Sequence, residues 1–146
     1  MYNSKTSWNY RFHLLLAVIC LSLSTTSTMA AANEGLILQV SDSNPKSWNL
    51  ALNIAKNAPT HFKQPLDIVV VAFGPGLKML TLDSKVANRL ETATNMGVKF
   101  RACGSTMKKL KLKDDDLFPS PLIQRVKGGV VEIMRLQKAG YAYVRP

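Results

Sequence analysis

Strands and helices alternate along this chain in a way that predicts an α/β fold, with one parallel sheet and helices on both of its faces. Two observations carry that prediction. Short strand-like runs, among them LILQV and LDIVVVAF, are separated by stretches whose apolar residues recur at helical spacing. The second run keeps Ile68 to Phe73 free of polar residues, as a central parallel strand covered on both faces requires.

Leu36 to Val40 reads as the first strand, and SDSNPKSW after it as a helix start. Asn44 suits the N-cap and Pro45 the first helical position. Trp48, Ala51, Leu52 and Ala55 then recur at i, i+3, i+4 and i+7, one buried stripe, until Pro59 stops the helix. Leu66 to Phe73 is the second strand, ended by Gly74-Pro75-Gly76 and followed by a short apolar bridge. Asp83-Ser84 is placed to cap a helix running to about Met96, with Val86, Ala87, Leu90, Ala93 and Thr94 inward and Gly97 at C′. Val98 to Ala102 is the third strand and Gly104 to Leu110 a short helix. Pro119 and Pro121 frame a loop into a weak strand, Leu122 to Val126. A helix from Gly128 to Ala139 follows, its inner side read as Val130, Ile133, Met134 and Gln137, with Gly140 as its stop. Tyr141 to Val144 closes the chain as a fifth strand.

The chain has 146 residues, 47% hydrophobic and 19% charged, which suits one compact globular domain. Its first 32 residues read as a cleaved signal peptide, leaving 33–146 as the domain. Lys5 and Arg11 form a positive n-region, Phe12 to Leu23 a short apolar run, and Ala30-Ala31-Ala32 a small-residue cleavage site. A membrane-spanning helix needs about 20 apolar residues, more than this run supplies. Cleavage after Ala30 and retention as an anchor are the competing readings. The mature chain is thus expected to be periplasmic or secreted, with no membrane contact after cleavage. Losing the leader leaves 17 basic against 9 acidic residues, a net charge of +8.

Cys20 leaves with the leader, so Cys103 is the one remaining cysteine and no internal disulfide is possible. A lone thiol in an oxidising compartment is intermolecular, buried and inert, or reactive. Cys103 follows the third strand and precedes a helix, at the carboxyl edge where α/β folds gather their chemistry. The following N–H groups of Gly104, Ser105 and Thr106, together with Arg101, Lys108 and Lys109, would favour its thiolate. Packing as a small hydrophobe is the other reading of the same cysteine. Gly74 and Gly76 belong to a second strand-end loop, able to approach an anion or the edge of the Cys103 pocket, or simply to make a tight turn.

Several function classes drop out. The run Lys108, Lys109, Lys111 and Lys113 lacks interleaved aromatics and is offset by Asp114-Asp115-Asp116, so no nucleic-acid partner is expected. The three aspartates match no EF-hand spacing and read as a turn or helix cap. His61 reads as a surface residue, and with one cysteine and one histidine the domain cannot build a tetrahedral zinc site or support a hydrolase triad. No metal and no cofactor is called for.

The stretches VSDSNPKSWNLALNIAKN, VVVAFGPGLKML, FRACGSTMKKLKL and GGVVEIMRLQKAGYAYVRP together resemble the DsrE/DsrF-like family, in its small, single-domain, often exported branch. The likeness runs in order from about Leu36 to Pro146. Its most specific parts are the A-C-x-x-T-M segment and the closing Gly-Tyr-Ala-Tyr-Val-Arg-Pro. The resemblance implies a three-layer α/β/α, DsrEFH-like fold with a five-stranded parallel sheet. It also implies a sulfur carrier of the sulfurtransferase type, in which Cys103 takes up sulfur as a persulfide. A trimer or hexamer of identical chains and sulfur donor and acceptor proteins would go with that role. The characterised relays of the family are cytoplasmic, whereas this chain carries an export signal. A non-enzymatic oligomeric protein that binds a small ligand or partner, with a structural cysteine, is the alternative.

Overall fold

The computed structural model describes residues 34–146; the expected leader over residues 1–32 lies outside the described residues. Five strands form one sheet: β1 (Gly35–Val40), β2 (Asp67–Ala72), β3 (Lys99–Cys103), β4 (Ile123–Val126) and β5 (Ala142–Val144). All pair in parallel, in the order β4-β3-β2-β1-β5. The helices are α1 (Pro45–Asn57), α2 (Ala87–Asn95), α3 (Gly104–Leu110) and α4 (Gly129–Lys138).

The strand order decides which face each helix covers. From β1 to β4 every step moves one strand the same way, so right-handed crossovers put α1, α2 and α3 on one face. The passage from β4 to β5 returns across the sheet and leaves α4 alone on the other face. The packing agrees with this division. Leu36, Leu38, Val40, Ile68, Val70, Phe100 and Ala102 join α1, α2 and α3 in the larger core, while Ile37, Val69 and Val71 meet Ile133 and Leu136 of α4 in the smaller one. This is the three-layer architecture, and the strands alternate between its two cores as a pleated chain must.

Local chemistry sets the element ends. Asn44 caps α1 by accepting the Lys46 N–H on its side-chain oxygen at 3.0 Å, with Pro45 as the first helical residue. Trp48, Ala51, Leu52 and Ala55 are its buried stripe, and the Trp48 indole N–H donates to the Asp42 carbonyl at 2.8 Å. Gly97 and Gly140, with φ of +86° and +92°, end α2 and α4.

The apolar bridge after β2 is a 3-10 segment, Gly74–Leu80, which drives Leu77, Met79 and Leu80 fully into the core. Two expectations need correction. Helix α2 begins at Ala87 rather than beside Asp83-Ser84. The Asp83 carboxylate accepts the Thr81 hydroxyl and the Ser84 oxygen accepts the Val86 N–H, so both are used in the preceding turn. The buried side of α4 is Gly129, Glu132, Ile133 and Leu136, whereas Val130, Met134 and Gln137 face outward. The cause is a charge: Arg101 of β3 lies beneath the helix and holds Glu132 inward.

Those polar groups anchor the thinner layer. Arg135 donates to both Glu132 oxygens, at 2.9 and 2.7 Å, and Arg101 Nε lies 3.6 Å from the same carboxylate. The Arg135 bond above all, and Arg101 beside it, hold the Glu132 carboxyl below its usual range against the opposing effect of burial. Nearby, at the start of β2, Asp67 accepts from Lys99 at 2.8 Å and from Tyr141 at 2.6 Å. Burial pushes the Asp67 carboxyl up, yet these two donors outweigh it and leave it lowered.

Both carboxyls therefore bind their protons less readily folded than unfolded. Their stabilisation is complete above the ordinary carboxylate values and is lost as pH falls through the depressed folded-state values. Urea midpoints measured between about pH 7 and about pH 3 are expected to fall steadily. Glu132→Gln should lower the neutral-pH stability by about 1 kcal/mol and flatten that pH dependence. An unchanged pH slope in Glu132→Gln would remove Glu132 from this role.

Candidate functional site

Cys103 is the last residue of β3 and the N-cap residue of α3. Across the sheet it pairs with Val126, the last residue of β4. Its side chain points to the face that carries α4, on the same side of β3 as Arg101. The thiol is not open to solvent: Cys103 is 5% exposed. The segment that leads from β4 into α4 lies beside the sulfur, where the Gly129 N–H reaches it.

The surroundings of this sulfur are polar. Burial is the largest influence and pushes the Cys103 thiol up, but the Thr106 hydroxyl and the N–H groups of Thr106, Gly129 and Ser105 together bring it below its ordinary value. The sulfur closes no geometric capping bond to α3, so these groups act on it chiefly as partial positive charges aimed inward. Three of these donors belong to the first turn of α3, and the fourth opens α4. A neutral, purely packed cysteine has no need of such company.

Thr106 is oriented for its part. Its side-chain oxygen accepts the Gly74 N–H at 2.9 Å, which leaves the hydroxyl hydrogen free to turn to Cys103. Gly74 adopts a φ of +54°, a left-handed conformation suited to glycine, and so serves the site through Thr106. Gly76 does not reach the site. It packs flat against the end of β1, where any side chain would strike the Val40 carbonyl. Gly104 is tight in a similar way, since a Cβ there would lie 2.8 Å from the Val126 carbonyl oxygen. Ser105 turns its hydroxyl away from the sulfur and donates to the Lys127 carbonyl at 3.0 Å, tying α3 to the segment beside the thiol.

The expected cationic contribution is placed elsewhere. Arg101 is engaged with Glu132 and with the Phe100 carbonyl. Lys108 and Lys109 stand exposed on α3, and neither is a leading influence on the thiol. Backbone and hydroxyl dipoles, rather than lysine charge, tune this cysteine. Among the described residues no three His, Cys, Asp or Glu side chains converge as a metal site would need. His61 is exposed, and Asp114–Asp116 form a 3-10 turn in which Asp116 accepts the Lys113 N–H at 2.6 Å.

Gly129 is the residue that sequence reasoning missed. A Cβ at this position would fall 2.8–3.0 Å from the Phe73 side chain, so only glycine lets the first turn of α4 settle this close to Cys103. The Gly128-Gly129 pair was the available signal, although helix starts of many kinds carry glycine.

A family model described as the DsrE/DsrF-like family matches residues 34–146. No curated protein matches the chain. Among solved structures, a protein of unknown function from Methanobacterium thermoautotrophicum, MTH1491, is similar, at 27% identity and a TM-score of 0.72. The likeness covers 78% of this chain and 100% of that one.

The contribution of these donors is measurable from the pH dependence of Cys103 alkylation. Thr106→Val and Gly129→Ala are each expected to raise the midpoint. Adding Phe73→Ala to Gly129→Ala should relieve the collision and restore most of the shift. An unmoved midpoint in both single variants would show that the donors do not act on the sulfur.

Proposed function

We propose that this chain, which belongs to the DsrE/DsrF-like family, is an exported sulfur carrier of the sulfurtransferase type, with Cys103 as the residue that holds the sulfur. The observation that carries this reading is a lone thiol, lowered below its usual value, at the junction of two helix starts on the carboxyl edge of a parallel sheet. The same donors that stabilise a thiolate stabilise a persulfide anion, because the negative charge stays on sulfur.

The chemistry balances without a cofactor. The Cys103 thiol gives its proton to solvent, and the thiolate attacks the outer sulfur of a sulfane donor such as thiosulfate. A sulfur–sulfur bond forms to Cys103, the donor's own bond breaks, and sulfite leaves with the electron pair. An acceptor thiolate then attacks the outer sulfur and returns Cys103 as thiolate. Because Cys103 is 5% exposed, loading requires the Lys127–Gly129 segment to lift. The Ser105–Lys127 bond, on the exposed side, is a light latch for that motion.

Export rests on the n-region, apolar run and alanine triplet of residues 1–32. Assembly into a trimer or hexamer is supported by apolar side chains left exposed on α4 and β5, namely Val130, Val131, Met134, Tyr143 and Val144. The burial of Cys103 favours a second reading, a non-enzymatic oligomeric binding protein whose cysteine packs.

Mass spectrometry of the native protein after exposure to thiosulfate or polysulfide distinguishes the two. A carrier gains about 32 Da on Cys103 for one added sulfur, and Cys103→Ser gains nothing. A native protein that takes up no sulfur from any donor, and whose thiol reacts with iodoacetamide only after unfolding, supports the packing role and sinks the carrier. The solution mass bears on assembly separately, and a monomer would remove the oligomer.

A further inference from the structure

On the other side of the β3–β4 edge from the sulfur lies a groove of about 680 Å³. Leu112 is its accessible apolar side chain, over the buried Met107, Val126 borders it, and its cationic members are Lys108, Arg125 and Lys127. No carboxylate lines it. Lys108 and Lys127 form no ion pair among the described residues, and Arg125 meets only Asp114, at 3.5 Å with both side chains more than half exposed. Such an exposed pair contributes little and leaves Arg125 available.

The groove is joined to the site through backbone. Arg125 pairs with Ala102 and Val126 with Cys103, so neighbouring residues of the same two strands serve the two sides. Gly104 and Ser105, which directly follow Cys103, border the groove, and the Lys127 carbonyl that receives the Ser105 hydroxyl belongs to its wall. A molecule seated here would press on the segment beside the thiol.

We infer that this groove is a docking site for an acidic peptide segment of a partner protein, one carrying apolar side chains among its carboxylates. The carboxylates meet the three cations and the apolar side chains meet the partly exposed Leu112. The volume suits a short extended segment, and the net positive charge of the mature chain would speed its approach. Naming that partner as the one that exchanges sulfur with Cys103 rests on the carrier reading; the groove itself does not.

Fluorescence anisotropy with a short labelled peptide of alternating Leu and Glu tests the site on the mature domain. Binding is expected, weakened by salt, and lost by about tenfold or more in Lys108→Glu/Lys127→Glu. The control Lys56→Glu/Lys85→Glu makes the same change in net charge away from the groove and should alter binding by less than about twofold. Cys103→Ser should bind the peptide as well as the natural sequence. Absence of binding, or equal loss in the two charge variants, would overturn the groove. So would binding that emerges only when Lys108→Glu/Lys127→Glu breaks an oligomer, since a second copy would then be the occupant. Peptide binding with no loading of Cys103 by thiosulfate in any form of the protein would remove the carrier and leave the docking site standing.

Discussion

The register of β3 against β4 is the constraint from which the site follows. Cys103 stands opposite Val126, so both strands end at the same height, and what comes after each is the start of a helix. Helix α3 turns to one face and α4 to the other, because the chain steps from β1 to β4 in one direction and returns in the opposite one. The point between the two starts is bordered by unsatisfied N–H groups from both. The side chain that lies there is Cys103. A slip of one residue in this pairing would send the sulfur to the other face, beneath α3, and separate it from Gly129.

Burial and polarity oppose each other at that point. Taking the thiol out of water favours its neutral form, and in an apolar pocket this effect alone would have silenced it. Here the pocket wall is made of peptide dipoles and one hydroxyl, and these outweigh desolvation. Because the donors are backbone groups, they are fixed by the fold and need no reorganisation when charge appears on sulfur. A lysine in the same role would bring a full charge but would also remain mobile and hydrated, as Lys108 and Lys109 do on the exposed side of α3.

The sequence was most legible where one residue type has one physical use. Asn44-Pro45 marked the start of α1, the unbroken Ile68–Phe73 run marked a strand covered on both faces, and Gly97 and Gly140 marked helix ends. The place of Cys103 at a strand end was also readable, from the change of period around it. What was hidden depends on partners far along the chain. The Gly129 N–H reaches Cys103 only because the sheet sets β4 beside β3, and the close fit of Gly129 on Phe73 leaves no pattern in either segment. The inner face of α4 was misread for a related reason. Hydrophobicity favoured Val130 and Met134, yet Arg101 on the strand below requires a carboxylate, and Glu132 supplies it from a buried position. Among the described residues no buried polar side-chain atom is left without a partner, which is the rule that periodicity cannot express.

The uneven division of the two cores bears on how a buried sulfur can still be reached. The face carrying α1, α2 and α3 holds most of the large apolar side chains, while α4 is fastened by Ile133, Leu136 and the Arg101–Glu132 ion pair. A layer with so few apolar contacts opens locally at a small fraction of the free energy needed to unfold the sheet. Its first turn is weaker still, because Gly128 and Gly129 contribute no apolar side chain and the Ser105–Lys127 bond lies at the surface. The first turn of α4 is thus held to the sheet less firmly than β3, which pairs with both β2 and β4. From that turn Gly129 directs its dipole at the sulfur, while Thr106 is held in place by Gly74. The same surroundings thus favour the ionised form of the thiol and shield it from solvent, two effects that an apolar pocket could not combine.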